Sequence, residues 1–69
     1  MRVLLCMWPI GGISSHDVAS LEHDGEKFTT VNPHTANVPH ELSREAALLV
    51  YEVAEKIGWI KDPFPEETP

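Results

Sequence analysis

Sixty-nine residues, 42% of them hydrophobic and 23% charged, make one small folded domain and exclude both a disordered chain and a deep private cleft, since chains near this size bury only about 60% of their unfolded surface. Eleven acidic residues against five basic ones give a formal net charge of −6. The cations Arg2, Lys27, Arg44, Lys56 and Lys61 are scattered, which excludes a phosphate-binding face built from clustered Lys and Arg and favours a partner protein with a basic surface.

The chain opens with "VLLCMW" over residues 3–8, a short continuous apolar run that reads as a buried strand ended by Pro9, Gly11 and Gly12. Its single cysteine, Cys6, excludes an internal disulfide and lies among apolar neighbours, as an inert buried thiol does. The run is too short to span a bilayer and lacks the cleavage pattern of a secretory leader, so the expected location is the cytoplasm, with no membrane contact.

Residues 18–31, "VASLEHDGEKFTTV", read as a β-hairpin around Asp24-Gly25, a dipeptide suited to a two-residue turn with positive φ. That turn sets Glu22 opposite Lys27 and Leu21 opposite Phe28, with Ala19, Leu21 and Phe28 sharing the core face.

From Leu42 the apolar period changes. Leu42, Ala46, Leu49, Val50, Val53, Ile57 and Ile60 recur at three- and four-residue steps and are expected to form the buried stripe of a helix over residues 40–58. Pro39 suits its first turn, and Ser43 is a competing N-cap for a later start. The expected fold is α+β: a three-stranded antiparallel sheet, made of the hairpin 18–31 and the N-terminal strand 3–8, with one C-terminal helix packed on a face. Residues 1–62 form the single domain, and residues 63–69 an extended, Pro-rich, acidic tail.

Catalytic and metal chemistry find little support. Ser14, Ser15, His16 and Asp17 are neighbours in sequence, whereas catalytic groups are assembled from separated segments. No enzymatic function and no cofactor are expected. His16, His23, His34 and His40 include no pair at the short spacings that deliver two zinc ligands from one turn or helix. "HELSR" at His40 places Arg44 where an HExxH helix needs its second histidine. A histidine-dependent metal protein is therefore a competing reading only.

The helix offers more. On the expected phase Leu48, Trp59 and, at the edge, Tyr51 fall away from the core stripe among Glu52 and Glu55. Aromatic and aliphatic anchors in acidic surroundings make a docking face. Leu48, Tyr51, Glu52, Glu55, Trp59 and Phe64 are accordingly the candidate partner-binding residues of a small acidic module that occupies a partner's surface. An inhibitor of the antitoxin-like or phage-borne kind, directed at a nucleic-acid-binding protein, fits that description. A structural homodimer or complex subunit is the main alternative. Trp59 either belongs to a docking or dimer face or lies past the helix end and folds back over the core with Phe64.

Overall fold

The computed structural model describes residues 2–10, 17–32 and 39–66. Among these residues five strands and one helix follow in the order β1 (Val3–Pro9), β2 (Val18–His23), β3 (Phe28–Val31), β4 (His40–Leu42), α1 (Arg44–Ile57) and β5 (Trp59–Ile60). Every pairing is antiparallel, and the strands lie in the order β4-β3-β2-β1-β5. The class is thus α+β with one sheet and one helix, but the sheet has five strands rather than the expected three. The two additional strands are three and two residues long, too short to display an alternating pattern.

β1 carries a bulge between Leu4 and Cys6, whose partners on β2 are the consecutive Glu22 and Leu21. The extra residue lets two successive side chains, Leu5 and Cys6, both enter the core. The Leu5 carbonyl oxygen accepts hydrogen bonds from the amides of Lys61 and Asp62 at 3.0 and 3.3 Å, which fastens the segment after β5 to the same strand.

The β2–β3 hairpin departs from the expected register by two residues. His23 stands opposite Phe28 and Leu21 opposite Thr30, because the turn is longer than Asp24-Gly25. Asp24 Oδ1 accepts from the amides of Glu26 and Lys27 at 2.9 and 2.8 Å, the Asp24 amide donates to the Lys27 carbonyl oxygen, and Gly25 has φ +105°. The carboxylate thus takes over the closing bonds, and Glu26 and Lys27 leave the ladder. A slip of one residue would have turned every side chain over; a slip of two preserves the faces, so Ala19, Leu21 and Phe28 are all buried. Lys27 does not pair with Glu22 as expected but reaches Glu41 of β4, Nζ to Oε1 2.9 Å.

α1 begins later than expected. His40–Leu42 pair with β3, and Ser43 is the cap: its hydroxyl oxygen accepts from the Ala46 amide at 3.2 Å. At the other end the Gly58 amide donates to the Ala54 carbonyl oxygen at 2.8 Å. A side chain at Gly58 would run into the Met7 carbonyl oxygen and stand 3.0 Å from Trp8 Cα and Cβ. Glycine is what allows the helix end to lie directly on β1 and the chain to turn into β5.

The helix also sits in a different phase from the expected one. Ala47, Tyr51 and Ala54 are its buried residues, joining Leu5, Cys6, Leu21 and Phe28, with Trp8, Leu42, Val50 and Phe64 packed against them. Of the expected stripe only Leu42 and Val50 reach this core; Leu49, Val53 and Ile57 are 65%, 53% and 57% exposed. At about 100° per residue the apolar arc of α1 runs from Leu49 round to Tyr51, about 200°, twice the ~100° that one face of a globular helix needs. The sheet face is already filled by Leu21, Phe28, Cys6 and Trp8. The small pair Ala47 and Ala54 lets the helix approach such a face, and the larger Val53 and Ile57 are left outside.

Candidate interaction surface

Leu49, Val53 and Ile57 stand four residues apart, so they form one straight ridge along α1. Beside it lies a depression of about 240 Å³ lined by Trp8, Leu49, Val50 and Val53. Trp8 arrives there through the ladder of β1, where it pairs with the buried Ala19. Ile60, opposite Cys6 and therefore on the helix side of the sheet, adds a further 41% exposed apolar side chain beyond the helix end. Glu45 and Glu52 flank the ridge on its solvent side together with Lys56. All three are exposed.

The six residues expected to bind a partner do not form one surface. Leu48, Glu52 and Glu55 are exposed on α1, with Leu48 and Glu55 on the flank away from the ridge. Tyr51 is 8% exposed, so the expectation that it falls outside the core is overturned. Its hydroxyl donates to the Asp62 carbonyl oxygen at 2.9 Å, and burial, followed by the nearby Glu55 carboxylate, pushes its pKa above the usual phenolic range. Phe64 folds back over the core, stacked on Phe28 and edge-on to Tyr51. Trp59 does not accompany it: it pairs with Met7 on β1, is 53% exposed, and faces away from the helix side occupied by Cys6 and Ile60.

Leu49, Val53 and Ile57 were hidden among the core candidates. The available signal was the width of the apolar arc, together with two alanines at i and i+7, Ala47 and Ala54, which mark a close-approach face.

A second, larger cleft of about 490 Å³ opens between the hairpin turn, the start of α1 and the returning tail, with His23, Lys27, Glu41, Arg44 and Glu66 in its wall. Its cations are already engaged. Lys27 is paired with Glu41, which raises its pKa, and the Arg44 guanidinium donates to the Pro65 carbonyl oxygen and lies 5.2 Å from the Phe64 ring centre. His23 packs on Phe28 with ring centres 4.4 Å apart and planes tilted by 37°, while His40 is exposed on β4. His16 and His34 lie outside the described residues, among which no three His, Cys, Asp or Glu side chains converge. Cys6 is fully buried, and burial pushes its thiol up to about 11. No helix among the described residues is long and apolar enough to cross a membrane.

What fold and surface define together is a small α+β domain whose helix α1 keeps half of its apolar arc outside the core. Comparison with protein-family models, with curated proteins and with solved structures finds no match to the chain.

Proposed function

We propose that this protein is a binding module that acts by seating the outer flank of α1 on another protein. The observation that carries this reading is the ridge of Leu49, Val53 and Ile57, each more than half exposed on a helix whose adjoining face, Ala47, Tyr51 and Ala54, is buried against the sheet. A domain this small keeps little apolar area in reserve, and a contiguous apolar strip with a polar rim is the form that interfaces take.

The acidic balance, −6 over the chain, supports a partner with a basic surface. Occupying such a surface would exclude nucleic acid from it, and inhibition of a nucleic-acid-binding protein is the biological role in keeping with this chemistry.

The test is affinity capture from the cells that make the protein, comparing the wild type with Val53→Asp at matched thermal stability. A protein retained in stoichiometric amount by the wild type and lost by Val53→Asp is expected. The same protein retained equally by both removes the flank of α1 from the account.

A further inference from the structure

Resting on that reading, we infer that the occupant of the α1 flank is an amphipathic α-helix of a partner with Lys or Arg along its edges. The backbone carries the first part of the argument. The flank presents α1, whose peptide groups are paired internally, and Trp8, which is held in the β1–β2 ladder. β5, an edge strand of the sheet, lies beyond the end of α1, so a segment lying along the ridge itself meets no free peptide groups and must satisfy its own backbone, and a helix does so. The ridge from Leu49 to Ile57 spans eight residue steps, about 12 Å at 1.5 Å per residue, a length that two turns of a crossing helix match. The depression between Trp8, Leu49, Val50 and Val53 takes one bulky apolar side chain of that helix.

Charge decides the rest. Glu45 and Glu52 border the ridge with no ion-pair partner among the described residues, against one cation, Lys56. Pairing two copies of α1 would bring two carboxylates per ammonium from each side together, on chains that each carry −6. A basic helix meets the same rim with complementary charge. The second copy is therefore the disfavoured occupant.

Three synthetic peptides of about five helical turns provide the test, each with leucines at i, i+3, i+4 and i+7. One has lysine flanks, one glutamate flanks, and one is the lysine peptide with a central proline. They are titrated against the full chain by fluorescence anisotropy, with sedimentation of the free chain in parallel. The lysine peptide is expected to bind in the micromolar range, at least about tenfold more tightly than the other two, to weaken as salt rises, and to be lost on Val53→Asp. Exchanging Glu45 and Glu52 for Lys should reverse the preference between lysine and glutamate flanks. Equal affinity for the two, equal affinity for the proline peptide, no binding of the lysine peptide, or a free chain that is dimeric at micromolar concentration through Val53 overturns the inference. Loss of the natural partner on Val53→Asp without any peptide preference would leave the binding module standing and remove only the basic helix. Retention of that partner by Val53→Asp removes both.

Discussion

The ring of Phe64 lies flat on that of Phe28, their centres 5.1 Å apart and their planes 7° from parallel. A residue after the last strand thereby closes the end of the core on which α1 begins. Tyr51 meets Phe64 edge-on at 5.4 Å and holds the Asp62 carbonyl oxygen, while Arg44 lies over the same ring and binds the Pro65 carbonyl oxygen. The segment through Pro65 is therefore part of the folded unit, and its anchors are separable by mutation.

Tyr51→Phe removes one hydrogen bond and leaves the ring in place, so it should cost about 1 kcal/mol. Phe64→Ala removes a half-buried stacked ring and should cost about 2 kcal/mol, below the 3–5 of full burial. Both should accelerate amide exchange at Lys61 and Asp62, which donate to Leu5. Urea unfolding and hydrogen exchange check the two effects separately.

Gly58→Ala should be among the most damaging small substitutions. The added methyl group meets the Met7 carbonyl oxygen, which is backbone and cannot turn aside. A loss of about 2 kcal/mol or more follows from overpacking of this kind. In the thermal melt, Lys56→Ala, on the exposed side of the same turn, serves as the control and should shift little.

Ala47→Leu and Ala54→Leu should each destabilise by about 1–3 kcal/mol, because both alanines are fully buried against the sheet. Had the helix adopted the phase expected from its three- and four-residue apolar steps, Ala54 would lie beside the stripe and tolerate the larger side chain. The urea midpoint of the two variants distinguishes the phases.

Alkaline pH should destabilise the protein through Cys6. Burial raises its thiol from 9.0 to about 11, so the folded state holds a proton that the unfolded state gives up. The contribution is complete below about pH 9, declines as pH climbs toward 11, and is gone above that. Tyr51, raised in the same direction by burial, adds to the loss at the upper end. Cys6→Ala should show a shallower fall of stability between pH 9 and 11, measured by chemical unfolding under reducing conditions.

Much of the sheet was legible because its signals are short-range. The apolar run closed by Pro9 marks β1, and Asp24-Gly25 marks a turn. The faces of β2 and β3 survive the longer loop because the register moved by an even number of residues. β4 and β5 were not legible: three residues after Pro39 read equally well as a first helical turn, and Trp59–Ile60 becomes a strand only because Gly58 lets the chain fall onto β1. The helix was legible in its existence and its end at Gly58, but not in its start or its phase. An apolar arc of about 200° fits a core on either half, and the choice was made by what the sheet face had already filled. The candidate site depends on that phase: Tyr51 is expected outside and Leu49, Val53 and Ile57 inside, and the structure reverses both, while Phe64 takes its alternative place over the core.

The proposed function requires the ridge of α1 to lie outside the core. Urea unfolding of the triple variant Leu49→Gln, Val53→Gln, Ile57→Gln tests it most directly. A cooperative transition with a stability within about 1 kcal/mol of the wild type is expected, as for exposed substitutions. A loss of several kcal/mol, the signature of polar groups forced into a core, would contradict it.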